Sequence, residues 1–236
     1  MERFIIGVDL GQSSDYTAIS VLERVPRFKE DKSAPINYPA PITTCEYHLR
    51  WLERIRHQSY VEVVEKIKRV ILHEEVLDES VMLVDSTGVG RGVMDIMIQE
   101  RMRPIGITIH AGHRVSEYDG GFNIPKRDLV GSLQVLFQTG RIKIPQEIKL
   151  IDELVAELQN FRVKIKDSGH DTYEAWRESD HDDLVLSLAM ASWYAGRTEE
   201  SFLALHKKQK YTIQKKYNPF STKEVKKVVE GGMYAN

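Results

Sequence analysis

Cysteine is all but missing from this chain of 236 residues: Cys45 stands alone. That excludes an internal disulfide and a cysteine-rich zinc site. No apolar run approaches the roughly 20 residues needed to span a bilayer, so no membrane association is expected. No segment fits Gly-x-x-x-x-Gly-Lys-Ser/Thr, which excludes a phosphate loop of that kind. Gly88-Val89-Gly90-Arg91-Gly92 is glycine-rich but lacks the lysine. The opening Met-Glu-Arg-Phe-Ile-Ile-Gly runs straight into a strand-like segment and leaves no room for a signal peptide, so a cytoplasmic location is expected. An excess of positive charge is missing too: 33 Lys and Arg face 35 Asp and Glu, a formal net charge of −2.

The distribution of charge says more than its sum. Lys207, Lys208, Lys210, Lys215, Lys216, Lys223, Lys226 and Lys227 crowd the end of the chain, opposed after Ser201 only by Glu224 and Glu230. Beyond Gly196 no periodic core pattern is apparent. The chain is therefore divided into a core-bearing domain, 1–197, and a polar lysine-rich tail, 198–236, dispensable for chemistry and suited to a partner or to solvent.

Apolar patterning gives the elements of the body. Phe4 to Leu10 and Thr17 to Leu22 read as buried strands. Pro26 to Pro41 reads as a proline-rich loop. Cys45, Tyr47, Leu49 and Trp51 alternate with Glu46, His48 and Arg50, a third strand with one buried face. Ser59 and Glu62 form a capping box ahead of a helix bearing Val63, Val64, Ile67 and Val70 on one side. Val81 to Val84 is a fourth strand, Val93 to Met102 a helix, and Ile105 to Ile109 a fifth strand. Helices follow around Leu129–Phe137 and Ile148–Leu158. Phe161, Val163 and Ile165 alternate with Arg162, Lys164 and Lys166 before Asp167-Ser168-Gly169, and 172–176 returns; this predicts a β-hairpin with a basic face. Leu184 to Tyr194, apolar nearly all round, is a buried helix. Three strands, a helix, then strand, helix, strand is an α/β order: a mixed central β-sheet flanked by helices, with an added β-hairpin and with the fourth strand parallel to the first.

Four aspartates sit at points where this order brings chain ends together. Asp9 ends the first strand and Asp85 ends the fourth; as parallel neighbours both would emerge at one sheet end, where open α/β sheets place ligands. Asp182 and Asp183 open the last helix. Each has a plainer reading alone: Asp9 could shape the Gly11 turn, Asp85 could accept from the Ser86–Gly90 turn, and Asp182 or Asp183 could cap a helix. Together they would repel unless a cation neutralised them. Oxygen donors without cysteine suit Mg2+ or Mn2+, and two such ions about 3.5–4 Å apart can cleave a phosphodiester.

Three motifs in order carry a family resemblance: Ile6-Gly7-Val8-Asp9-Leu10-Gly11, Val84-Asp85-Ser86-Thr87-Gly88-Val89-Gly90, and His181-Asp182-Asp183 followed by Leu184 to Ala191. They resemble the nuclease domain of the bacteriophage terminase large subunit, over roughly Phe4 to Gly196. The resemblance implies a ribonuclease H-like fold and a two-metal endonuclease that cuts double-stranded viral DNA during packaging. It implies Asp9, Asp85 and Asp183 as catalytic metal ligands, Asp182 as an auxiliary ligand, and His181 as an orienting group or a plain capping histidine. Arg141, Lys143, Arg162, Lys164 and Lys166 are candidate DNA contacts. An ATPase motor, a portal and a small terminase subunit are implied partners, although no motor motif is present. Three other readings stay open: a Holliday-junction-resolvase-like nuclease, an ATP-binding fold like actin and the sugar kinases, and a non-catalytic DNA-binding module.

Overall fold

The computed structural model describes residues 2–11, 15–28, 42–88, 90–167 and 181–216, excepting the side chains of 28, 42–43, 161–167 and 209–216. Its centre is a mixed sheet of eight strands among the described residues, in the order β6-β7-β5-β4-β1-β2-β3-β8. β1 (Phe4–Asp9), β2 (Thr17–Phe28) and β3 (Ile42–Ile55) form the expected antiparallel meander. Helix α1 (Tyr60–Ile71) then crosses over, and β4 (Ser80–Asp85) pairs parallel with β1. After α2 (Gly90–Gln99), β5 (Pro104–His110) pairs parallel with β4. An antiparallel 3-2-1 meander continued by parallel strands 4 and 5 is the ribonuclease H-like order.

α1 begins where the sequence dictates. Ser59 Oγ accepts from the Glu62 amide, while the Glu62 carboxylate accepts from the Ser59 amide. Its buried Val63, Val64 and Ile67 join Phe4, Ile6, Val8 and, from α2, Val93 and Met97, in a core on one sheet face. The other face is covered by α3 (Lys126–Gln138), α4 (Ile151–Asp167), α5 (Asp183–Arg197) and α6 (Glu199–Lys216). Every residue of α5 from Asp183 to Ala195 is buried, as its all-round apolar pattern requires.

Several expectations are corrected. The predicted hairpin does not form: 161–167 are the last turns of α4. Ile151, Leu154, Leu158, Phe161 and Ile165 recur at three- and four-residue steps, so the helical period of the preceding segment continues through the apparent alternation. Residues 168–180, with the supposed return strand, lie outside the described residues. A hairpin occurs elsewhere: β6 (Ser116–Tyr118) turns at Asp119-Gly120, with Gly120 at φ +85°, into β7 (Gly121–Pro125). Asp-Gly is a tight-turn dipeptide, because its second position calls for a left-handed residue. β2 runs on through Pro26 to Phe28, shortening the expected loop.

The alternation in β3 also breaks. Leu22 pairs with Leu49 but Val21 with Trp51, so Arg50 is an inserted residue. A bulge reverses the in–out phase beyond it. Trp51, expected inside, is 51% exposed, and Leu52 and Arg54 turn instead toward α5.

The stretch after Arg197 is not wholly a polar tail. α6 buries Phe202 and Leu203 in the main core. Glu199 accepts hydrogen bonds from the Cys45 amide at 3.0 Å and the Tyr47 hydroxyl at 2.9 Å, and pairs with Arg141 on the loop before β8 (Ile142–Lys143). The packed body therefore continues past the expected boundary; 217–236 lie outside the described residues. Phe202→Ala should lower unfolding stability by about 3–5 kcal/mol, the range for emptying a buried phenylalanine site. Urea denaturation checks this, and an unchanged midpoint would show that α6 is only laid on the surface.

Candidate active site

One close approach sets the site. A Cβ on Gly7 would stand 1.9 Å from the Ser187 carbonyl oxygen, so α5 can lie on β1 only because residue 7 has no side chain. From that contact Asp9 is two residues along the strand, about 6.6 Å. Asp183 is four residues back along the helix, about 6 Å. The two carboxylates thus meet at one end. Val8 is in register with Val84, so the next residues, Asp9 and Asp85, leave the sheet side by side. A second glycine closes the other flank: a Cβ on Gly90 would come within 2.1 Å of the Asp85 carbonyl oxygen, letting the start of α2 sit against that strand end.

The electrostatics follow from the convergence. Burial pushes the Asp9 carboxyl well above the usual range, and Asp85, Asp182 and Asp183 push it further by like-charge repulsion. Lys126 pulls it back down. Asp85 is also raised by burial, offset by the Thr87 amide donating to its Oδ1 at 2.8 Å. Asp183 is raised by burial and offset by Arg54, whose Nε donates to Oδ2 at 2.7 Å. Asp182, just ahead of α5, accepts from Lys126 Nζ at 2.9 Å. His181 Nδ1 lies 3.9 Å from Asp183 Oδ1, and its ring meets Tyr16 edge-on.

Arg54, Glu157, Tyr16 and Lys126 belong to the site without having been among its predicted residues. Arg54 also pairs with Glu157 of α4, and its guanidinium lies over the Tyr16 ring at 4.6 Å. Glu157 Oε2 accepts from the Val185 amide at 3.1 Å, in the buried first turn of α5, where amides have no acceptor within the helix. Burial first, and Asp183 second, push its carboxyl up to about 8. Lys126, at the start of α3, is the fourth. Arg54 is hidden from sequence reading by the bulge at Arg50. Glu157 left one signal: a carboxylate beside the apolar stripe of Leu154 and Leu158.

Of the predicted basic contacts, Arg141 and Lys143 are not gathered here. β8 pairs with the early part of β3 at Tyr47, while the site end of β3 is at Ile55, eight residues or about 26 Å further on. Arg141 is committed to Glu199 and the Cys45 carbonyl, and Lys143 Nζ to the Gly140 carbonyl. Arg162, Lys164 and Lys166 fall on α4, with side chains outside the described residues.

Asp9, Asp85 and Asp183, with Asp182 beside them, fit a hard cation by donor chemistry and by charge. Among the described residues, no three metal-ligating side chains stand close enough to hold an ion as they are. Lys126 and Arg54 engage two of the four carboxylates, so a cation would have to draw these away from their present partners.

With this geometry, comparison with known proteins is informative. No family model matches. Terminase large subunits of Thermus phage G20c and Thermus virus P23-45 are each 24% identical over 200 residues, 84% of this chain. The chain resembles the terminase large subunit. It spans about a third of the length of these relatives (33%). Among solved structures, the large terminase nuclease of phage G20c aligns at 20% identity and TM-score 0.49, covering 80% of each chain. A zinc-bound form of it gives 0.46 over 80% of this chain and 78% of that one. The human cytomegalovirus terminase nuclease domain gives 15% identity and TM-score 0.44, covering 81% of this chain and 84% of its own.

The raised carboxyls have a pH consequence. A folded-state pKa above the unfolded value means that the native protein holds more protons, so stability is full below the ordinary carboxyl range and is lost as pH rises. For Glu157 that window runs from about 4 to about 8. In a chelator the wild-type urea midpoint should fall between pH 5 and pH 8, and Glu157→Gln should flatten the upper part of that fall. A midpoint that rises with pH across this window would contradict the burial assigned to these carboxyls.

Proposed function

We propose that this chain is the nuclease unit of a DNA-packaging terminase, a divalent-metal-dependent endonuclease acting on double-stranded DNA. The observation that carries it is the convergence of Asp9, Asp85 and Asp183 at the shared end of β1, β4 and α5. Their sequence motifs and the terminase relatives point the same way.

Asp9, Asp85 and Asp183 would hold the metal, with Asp182 as auxiliary ligand. Mg2+ or Mn2+, as a pair of ions, would supply Lewis acidity to the attacking water and the departing oxygen. The chain's own part is to present these oxygens from rigid elements and to keep Asp183 oriented through Arg54. His181 stands where it can orient a carboxylate or a water molecule. The unit takes in the body through α6, and the lysines beyond it are suited to partner contact.

The remaining two thirds of the relatives' length is where a packaging motor would be sought; translocation is not assigned to this chain. A portal and a small terminase subunit are the partners that the reading implies, and the host cytoplasm the place. No described helix is long and apolar enough to cross a membrane.

Plasmid cleavage in Mg2+ or Mn2+, against a chelator control, tests the reading. Asp9→Asn, Asp85→Asn and Asp183→Asn should each reduce cutting to background while DNA binding persists, because phosphate contacts lie mainly elsewhere. Asp182→Asn should be milder. Wild-type rates in all three single variants would end the catalytic assignment, and cutting confined to four-way junctions would favour a resolvase.

A further inference from the structure

An acidic site needs something beside it that attracts a polyanion. The loops after β4 and β5, adjacent parallel strands, are tied together at the site end. The Ser86 amide donates to the Ile107 carbonyl at 2.8 Å, and the Ile109 amide to Thr87 Oγ1 at 3.0 Å. Ser86 Oγ lies 3.1 Å from Thr108 Oγ1. This stitching ties the turn before α2, which opens with Gly90 and Arg91, and the start of the His110–Arg114 loop to Asp85's strand end.

The second loop is held in shape. The Gly112 amide donates to His110 Nδ1 at 2.9 Å. Arg127, one residue after Lys126 on α3, reaches across: its Nη1 meets His113 Nδ1 at 2.7 Å and its Nη2 donates to the His113 carbonyl at 3.0 Å. Arg91 and Arg114 are exposed and make no side-chain hydrogen bond or ion pair among the described residues. From Ile105 to Ser116 the sequence has no acidic residue, and from Ser86 to Met94 none either. Glu117 is in register with Phe122, and so with Ile107 and Asp85, but it stands three strands away from Asp85 and is paired with Arg197, while Asp119 lies toward the other end of the sheet.

We infer that Arg91, Arg114 and the Arg127-clamped His113 loop form a phosphate-binding lip, over which the DNA backbone runs as it enters the aspartate site. This rests on the nuclease reading and assigns the substrate contact to a surface other than Arg141 and Lys143. A double-stranded polyanion is the occupant, because the lip offers separated, uncommitted guanidiniums on adjoining loops rather than a closed pocket. Arginine forks suit phosphate oxygens. The lip also offsets the repulsion that the buried carboxylates exert on an approaching phosphate.

The test is fluorescence anisotropy of a labelled 30-base-pair duplex in chelator at several KCl concentrations, with Mn2+-dependent cleavage measured in parallel. The variants are Arg91→Glu/Arg114→Glu, the milder Arg114→Ala in case the double variant misfolds, and Arg103→Glu. Arg103 makes the same charge change at the far end of β5. The double variant should weaken binding at 100 mM KCl at least about tenfold and reduce the slope of log affinity against log salt by about 2, one unit per lost phosphate contact. KM should rise with kcat changed less than about twofold, and Arg114→Ala should show a smaller shift in the same direction. Arg103→Glu should match the wild type. If the lip variants bind and cut like Arg103→Glu, the lip is overturned and the nuclease reading survives. If the wild type binds duplex through the lip but never cuts, the nuclease reading falls and the lip stands. If the wild type binds no duplex at any salt, both fall.

Discussion

The contact between Gly7 and the Ser187 carbonyl is the constraint on which the site depends. Any larger residue at position 7 would lift α5 from β1 and carry Asp183 away from Asp9. The rest of the architecture supports that seating. α5 is buried from Asp183 to Ala195 because the sheet lies beneath it and α3, α4 and α6 pack around it. Arg54 and Glu157 hold its first turn from two directions, one from β3 and one from α4. Thus a helix that is nearly all apolar delivers an acidic residue, at its buried beginning, to the end of a strand.

What results is an arrangement under electrostatic tension. Four aspartates share one end of the sheet, with Asp9 and Asp183 buried, and burial strengthens their repulsion. Lys126 and Arg54 relieve it in part, each by a direct ion pair with one member. These pairs give the site positive charge from within the protein. A divalent cation would replace that charge with a stronger one, and the carboxylates' resistance to ionising is then the reason a cation is wanted.

Much of this was legible in the sequence because the informative residues follow strong local patterns. Asp9 and Asp85 each close an apolar run, and their parallel pairing follows from the crossover through α1. The polar network around them was not legible. Arg54 faces the site only because Arg50 is inserted in β3, a bulge that no local pattern announces. Glu157 and Lys126 are polar residues of helices whose apolar stripes alone mark them in the sequence. The hairpin expected at 161–176 failed at its first arm because a helical period and a strand alternation share Phe161 and Ile165. α6 leaves little trace in the sequence because it inserts two adjacent residues, Phe202 and Leu203, rather than a repeating stripe.

Thermal unfolding of Asp9→Asn beside the wild type, first in chelator and then with Mn2+, tests the central claim most directly. Asparagine keeps the size of the side chain and removes its charge. If buried like charges oppose one another here, the variant melts higher than the wild type without metal, since repulsion is relieved. Mn2+ then raises the wild-type melting temperature by linkage, and raises that of the variant less. A variant that melts lower in chelator, together with no response of the wild type to Mn2+, would contradict the account.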